Sequence, residues 1–447
     1  GRLANQDFSS VVNMADRMVF EAQGTELQGF IDQLTNAGRA YVNFSLGNFT
    51  SMDENIELAL SPVGDPLMLG VEEQIALLRL AAMRYFIVEE SEKLEEVLKS
   101  ARSLAATSKI SQSHLMLSSI NAMHLFQIGD YRRAYEAASI CYSQFSKRNY
   151  VGIFGPLDSL FIIARCLLEF ARPAEAHEKF VQIRDLAEQW NLWSWHFYAD
   201  GYLARELAIN GQVTQSIESI KLAHHRASKI EFAHELDSIL DMSEVFVRFQ
   251  VNDFERLGVL LERAPQVRIV EQIRLSYDDR LGKKGARDAY MRLPSKTPRE
   301  KIWKSLVDAS EVIDQENLAA KELKKALEVG ALVGAKETFL RQSEEMGNLI
   351  IKLAGENPTV YMEDLASAVA ERIKRNSNGT SEVRSSLTKR EIEVLRHLST
   401  ERPISAIAAT LHISINTMKT HLKNLYRKMG VENRTQAVDK AKANFIL

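Results

Sequence analysis

The stretch HISINTMKTHLKNLYRKMGV, residues 412–431, places Lys419, Lys423, Arg427 and Lys428 on one short segment that also carries a regular apolar stripe. Met418, Leu422, Leu425 and Met429 recur at spacings of 4, 3 and 4, which puts them on one side of a helix. Asn416, Lys419, Thr420, Lys423 and Arg427 fall on the other side. Cationic and amide side chains displayed along a helix can neutralise phosphates and donate to base edges in a nucleic-acid groove. A surface helix with a solvated basic face is the plainer reading of the same residues. The choice rests on how the helix is held.

Ser414 is suited to cap this helix, and Ile413 just before it can staple onto Met418 four residues after the cap, which fixes the angle of approach. Upstream, TKRE at 388–391 has the form of a capping box: Thr388 accepts from the third helical amide while Glu391 reaches back. That first helix carries Ile392, Val394, Leu395 and Leu398 toward a small core. A second short helix is expected from about Pro403, suited to a first turn, to Leu411, with Ile404, Ile407, Ala408 and Leu411 on one face. Gly430 is placed to end the basic helix in a left-handed conformation. NRTQ at 433–436 then opens a fourth helix with Ala437, Val438, Ala441 and Phe445. Two helices joined by the turn HIS, the second showing its cationic side outward, form a helix-turn-helix, whose second helix lies in the DNA major groove. A merely solvated helix needs neither the stapled approach nor the tight turn, so the DNA reading is favoured.

The run LTKREIEVLRHL, followed by IAATLHISINTMKTHLKNLYRKMGVENRTQAV, resembles the LuxR/GerE-type DNA-binding domain. Matching positions include Leu387, Thr388, Glu391, Val394, Ile407, Ser414, Thr417, Lys419, His421, Lys428, Gly430 and Arg434. The resemblance implies that Lys419, Thr420 and Lys423 face base edges, with Asn416, Thr417, His421, Lys428 and Arg434 near phosphates. It also implies that the fourth helix pairs two domains on DNA, through Val438, Ala441 and Phe445, which continue around from a core-facing Ala437. The implied partners are double-stranded DNA and RNA polymerase, with a homodimer as the bound form. One departure stands out: where the family usually has Gly and then Ser-Asn-Lys-Glu, this chain has Glu401 and then Pro403, Ile404, Ser405 and Ala406. Contacts made by the family from the start of the second helix are therefore in doubt here.

The remainder of the chain must position this module. From Arg384 to Leu447 there are 12 Lys and Arg against 5 Asp and Glu, a surplus of 7, which leaves −10 for the rest of a chain whose formal charge is −3. A basic module with an anionic partner is thus attached to an acidic body. That body reads as nearly all α, with sparse prolines and a weak internal repeat. VEESEKL, IGDYRRA, FARPAEA, NGQVTQS and VNDFERL each fall between two helical stretches, and aligning Glu89, Gly129, Ala171, Gly211 and Asn252 gives spacings of 40, 42, 40 and 41. Such a period means one helical hairpin per repeat, stacked because no hairpin buries its apolar face alone. Five residues on come Leu94, Ala134, Ala176, Ser216 and Leu257, side chains that let paired helices approach.

The expected architecture is all-α: a TPR-like helical-repeat solenoid over 1–264, a connector with further packed helices over 265–373, a flexible Asn/Ser/Gly-bearing linker at 374–386, and the helix-turn-helix domain at 387–447. In the connector, helical texture is expected to resume at about Ile302. An acidic helical body before such a domain resembles the large MalT-like regulators, which combine an ATPase domain, an effector-sensing superhelix and this type of reader. No GxxxxGK[ST] phosphate loop occurs, since GKKGAR lacks the spacing. The chain begins GRLANQ rather than with Met and reads as a piece of something longer.

Other chemistry is weakly signalled. Cys141 and Cys166 lie in apolar helical runs and suggest neither disulfides nor a zinc site. His224 and His225 with His234 and Glu235 lack metal-binding spacing, so no metal and no cofactor is expected in this chain. The aromatics WNLWSWHFY could line an effector pocket through Trp190, Trp193, Trp195 and Tyr198, although aromatics at helix ends more often pack between repeats. No nucleophile and base pair argues for an enzyme. With no apolar run of membrane length and no leader pattern, a cytoplasmic setting is expected. The functional expectation is a DNA-binding transcription regulator whose helical body senses an effector or partner. An interaction scaffold tethered to DNA, or the regulatory half of an ATP-dependent switch, are the alternatives.

Overall fold

The structure is a computed structural model that describes residues 8–60, 69–147, 156–210, 212–231, 233, 235–250, 253–264, 268–280, 296–386, 389–399, 403–411, 413–429, 431 and 433–443. Every element among the described residues is a helix. Helices α1 (Phe8–Ala22), α2 (Gln28–Leu46) and α3 (Phe49–Leu60) come first. Five antiparallel hairpins follow: α4 (Val71–Ile87) with α5 (Ser91–Ala105), α6 (Ser111–Gln127) with α7 (Tyr131–Lys147), and α8 (Leu157–Glu169) with α9 (Pro173–Gln189). The last two are α10 (Trp193–Ile209) with α11 (Val213–Ala227), and α12 (Leu236–Gln250) with α13 (Phe254–Arg263).

The repeat expected from the sequence is visible in backbone and core alike. The amides of Glu90, Asp130, Arg172, Gln212 and Asp253, each one residue after an aligned position, donate to the carbonyls of Tyr85, Leu125, Leu167, Leu207 and Arg248. This six-to-one bond closes a helix through a left-handed residue, and Glu89, Gly129 and Ala171 indeed have φ of 59°, 87° and 58°. Gly211 and Asn252 lie outside the described residues. Counting on from each aligned position, the second helices bury the same four offsets. Leu94, Leu98, Ala101 and Ala105 in α5 correspond to Ala134, Ala138, Cys141 and Phe145 in α7, and to Ala176, Phe180, Ile183 and Ala187 in α9. In α11 the set is Ser216, Ile220, Ala223 and Ala227. The stripe is one helix face wide, so each second helix covers one side only. The first helices are buried on most sides between neighbours, and a side chain such as Phe161 or Leu160 contributes about 1.5–3 kcal/mol by its burial.

The N-terminal helices close against the far end of the array. Glu235 accepts from the amides of Phe49 and Thr50 at the start of α3, and Phe44 meets Trp195 edge-on at 6.1 Å. After α14 (Arg268–Arg280), the chain resumes with α15 (Pro298–Glu311), four residues earlier than the sequence reading placed it. Thr297 and Glu300 make the reciprocal capping box there, with Pro298 in the first turn. Then come α16 (Glu316–Val333), α17 (Glu337–Leu340), α18 (Glu344–Glu356) and α19 (Val360–Ser386). These helices are bound to the turns of the repeats. The amide of Arg299 donates to Ile128, that of Lys336 donates to Glu169, and one core runs without a break from Ala37 to Val369. The solenoid and the packed helices after it therefore share a single core. The segment 374–386, expected as a flexible linker, is instead the second half of α19: it contains no proline, and nothing interrupts the hydrogen-bond ladder begun at Val360.

Candidate nucleic-acid interface

A second, separate core is built by α20 (Lys389–Leu398), α21 (Ile404–Thr410), α22 (Ile415–Met429) and α23 (Arg434–Ala443). Met418, Leu422, Leu425 and Met429 all face it, as their spacing requires, together with Val394, Leu395, Leu398, Ile407, Ala408 and Leu411. Between α21 and α22 the amide of Ile413 donates to Ala408, so the turn is closed by a backbone bond. Ser414 caps α22: its Oγ accepts from the Thr417 amide at 3.1 Å and lies 2.8 Å from the Thr417 hydroxyl. Ile413 packs on the core that contains Met418, the staple expected from the sequence. Asn433 caps α23 by accepting from the amide of Gln436 at 2.9 Å. Thr388, Gly430 and Glu401 lie outside the described residues, as does the side chain of Asn416.

With its apolar face fixed, α22 turns Lys419, Thr420 and Lys423 to solvent. Neither Lys419 nor Lys423 has an ion-pair partner among the described residues, and Arg427 meets only Asn424, at 3.4 Å. His421 is half-buried and Thr417 exposed. Lys428 and Arg434, expected near phosphates, are half-buried and bonded within the domain. The Lys428 ammonium lies 2.7 Å from the carboxylate of the buried Glu391, and Arg434 Nε donates to the Leu398 carbonyl at 2.9 Å. Both tie a later helix to α20, a positioning role in which one charge is already matched. The sequence reading missed this use of Glu391 because it assigned that side chain to a local cap. A second correction concerns pairing: Ala441 is fully buried, because it lies four residues from the equally buried Ala437 on the same face. Val438 is half-buried at the edge of this core, and Phe445 lies outside the described residues. At α21, Pro403 accepts from the amides of Ala406 and Ile407, Ile404 packs on the core and Ser405 is exposed.

Residues 385–441 match the family described as bacterial regulatory proteins, luxR family. The C-terminal domain belongs to the LuxR family. This LuxR-type domain is 52% identical over 58 residues to the probable csgAB operon transcriptional regulatory protein of Salmonella typhimurium and to the CsgBAC operon transcriptional regulatory protein of Escherichia coli. Those 58 residues are 13% of this chain and 27% of either relative. A probable transcriptional regulatory protein NarL of Mycobacterium tuberculosis is 37% identical over 82 residues, 18% of this chain and 37% of its own length. The chain thus spans about a quarter to two fifths of these relatives, through its LuxR-type end.

The body's candidate groups sort differently from expectation. Trp195 is buried edge-on against Phe161 and Phe44, and Trp193 packs on Val42 and Leu46, because α2 occupies the space beside them. Trp190 packs on the main core at the end of α9. The three tryptophans therefore pack rather than line a pocket, whereas Tyr198 ends in a buried hydroxyl with no hydrogen-bond partner among the described residues. His224 does not meet Glu235, and His234 lies outside the described residues. The His224 ring sits against α12, with Nδ1 2.7 Å from Asp237 and Nε2 3.5 Å from Glu244. Arg248 takes the other oxygen of Glu244 at 2.8 Å, and Arg263 lies 3.0 Å from the Asp241 oxygen that also faces His224 at 3.8 Å, so the group is knit together by ion pairs. Cys141 and Cys166 are both buried free thiols. No described helix is long and apolar enough to cross a membrane.

Proposed function

We propose that this chain is a DNA-binding transcription regulator, without catalytic activity and acting in the cytoplasm. The observation that carries the reading is the row Lys419, Thr420 and Lys423 on α22, exposed on a helix whose cap, staple and core leave it one orientation. That row is suited to base edges in a major groove, with Thr417 and His421 on the same helix placed to meet phosphates beside it. The helical body takes an effector or a partner protein, and RNA polymerase is the machinery acted on. Electrophoretic shifts with residues 387–447, with residues 1–373 and with the full chain test the assignment. Sequence-specific binding follows the C-terminal fragment and weakens steeply with salt, as counterion release requires. Lys419→Ala and Lys423→Ala each cost about 1–3 kcal/mol of discrimination between cognate and scrambled DNA. Specific binding by residues 1–373 overturns the reading.

On DNA the domain acts as a two-fold pair joined through the Val438 side of α23, with inverted half-sites about one helical turn apart. Val438→Asp then weakens binding to the double site and leaves binding to one half-site unchanged. Equal binding of the variant to both sites excludes the pair.

A further inference from the structure

One half-buried arginine of the helical body differs from the others around it. Arg79 lies 2.6 Å from Asp158, Arg248 2.7 Å from Asp253, and Arg341 3.1 Å from Glu337. Arg165 has Glu89 at 3.8 Å. Arg205, on α10, has no carboxylate partner among the described residues. Its Nη2 reaches the Met242 carbonyl at 3.3 Å, and its Nε is shut off from water with nothing to donate to.

Its neighbours make this more costly. The Arg205 guanidinium sits 4.6 Å from the centre of the Tyr202 ring, which Arg165 also faces at 5.7 Å. It sits 5.1 Å from the centre of the Phe246 ring, which Arg341 faces at 5.2 Å. Three guanidinium groups from α8, α10 and the end of α17 are thus strung together by two aromatic rings. Burial in the first place, and then the charges of Arg165 and Arg341, hold the pKa of Arg205 below the ordinary arginine value. The nearby carboxylates are already shared: Glu89 serves both Arg165 and Arg299, and Glu337 serves both Arg341 and Arg372. The Tyr198 hydroxyl, earlier on α10, is buried with no hydrogen-bond partner among the described residues. Arg341 is 38% exposed and opens the group to solvent.

A half-buried cation among like charges, with one N–H cut off from water, is costly unless something anionic completes it. Ring stacking recovers part of that cost, about 0.5–2 kcal/mol per contact, but leaves the Nε–H and the Tyr198 O–H unmatched. We infer that Arg165, Arg205 and Arg341 form a receptor for a small oxyanion, a phosphate ester or a carboxylate. Guanidinium groups match the paired oxygens of either anion. This deepens the reading of the helical body as the sensing part, and it names the chemistry sensed.

The experiment is a thermal-unfolding titration of the full chain with inorganic phosphate in one arm and citrate in the other, at constant ionic strength held with sodium chloride. The body's midpoint rises with the logarithm of anion concentration, as binding to the folded state alone requires. Arg205→Gln, which keeps a donor for Met242, and Arg341→Gln, at the exposed edge, each weaken the apparent affinity at least tenfold. Arg133→Gln, on the outer surface, leaves it unchanged. A rise with phosphate alone identifies a phosphate ester, and a rise with citrate alone a carboxylate. No rise with either anion, or an equal rise in Arg205→Gln and Arg341→Gln, overturns the inference. That failure is separate from failure of the regulator reading, which shows as lost DNA specificity in a chain that still binds the anion.

Discussion

The helical body and the C-terminal domain are made of the same material, amphipathic helices in antiparallel contact, but they hold their basic residues in opposite ways. In the body, arginines turn inward: Arg79 onto Asp158, Arg248 onto Glu244 and Asp253, and Arg165 onto the rings of Phe86 and Phe126. In the domain, Lys419 and Lys423 stand in solvent on a helix whose other side is locked into the core. A basic residue therefore says little by its type. What it says depends on whether its surroundings have already neutralised it, and by that measure Lys419 and Lys423 on α22 and Arg205 in the body stand apart, since none of the three has a carboxylate partner among the described residues.

The two regions also differ in how much core stands behind them. The body's core is continuous from Ala37 to Val369, whereas the domain's fits within residues 394–441. Small domains bury a smaller fraction of their surface and are correspondingly marginal. The sharpest test is one truncation made in both places. Leu425→Ala and Leu257→Ala each remove a fully buried leucine and cost about 2–5 kcal/mol locally. In the domain that loss is comparable with the whole stability of a module this size, so Leu425→Ala abolishes DNA binding and its calorimetric transition while the body's transition stays in place. Leu257→Ala lowers the body's transition and leaves DNA binding intact. If both substitutions move both transitions together, the two cores are not independent and the comparison breaks.

A smaller effect concerns Lys428, which by type belongs with the DNA-facing lysines and by geometry with the body's paired arginines. Lys428→Ala removes the ammonium paired with the buried carboxylate of Glu391 and lowers the domain's stability by about 1–2 kcal/mol, reduced from the fully buried case because the lysine is 28% exposed. The slope of affinity against salt is unchanged, since no phosphate contact is lost. Lys428→Ala combined with Glu391→Gln recovers most of the stability. A shallower salt slope at unaltered stability would place Lys428 on the DNA instead.

Much of this was legible in the sequence where the signal is local and periodic. The residues five positions after Glu89, Gly129, Ala171 and Gly211 marked the first position of the buried stripe of each second helix, and Ser414 with Ile413 foretold how α22 is anchored. TPRE at 297–300 was equally readable as a capping box with proline in the first turn, and would have moved the start of α15 to its place. Composition misled at 374–386, where Ser, Asn and Gly suggested a linker but helical continuity from Val360 prevails. What could not be read was long-range pairing. Nothing local joins Glu391 to Lys428, or Arg165 to Arg205 and Arg341, since these meet only after the hairpins stack. The turn aromatics likewise could not announce that α2 would fill the space beside Trp193 and Trp195.

The smallest effect expected belongs to the body alone and depends on pH. His224 on α11 faces Asp237, Asp241 and Glu244 of α12, with Arg248 on that helix and Arg263 on α13 neutralising part of the acid. Burial opposes the imidazolium, but hydrogen bonds to Glu244 and Asp237 and the nearby carboxylate charge outweigh it, so the pKa of His224 is raised above the usual 6.5. Although burial also opposes the charge on Glu244, His224 and Arg248 hold its pKa down to about 2, so it stays ionised throughout the neutral range. A raised histidine pKa contributes stability that is complete below 6.5 and is lost as pH climbs through the folded-state value. The body's melting temperature should therefore fall by about 1–2 °C as the solution is taken upward from pH 6.5. Below pH 6.5 the opposite contribution of His124, whose pKa burial lowers, enters with the other sign, so the window above it is the informative one. Replacing His224 with Gln keeps a donor toward Asp237 and removes the titration. A melting temperature that falls as steeply in that variant as in the natural chain would show that the cluster on α12 contributes nothing to the slope.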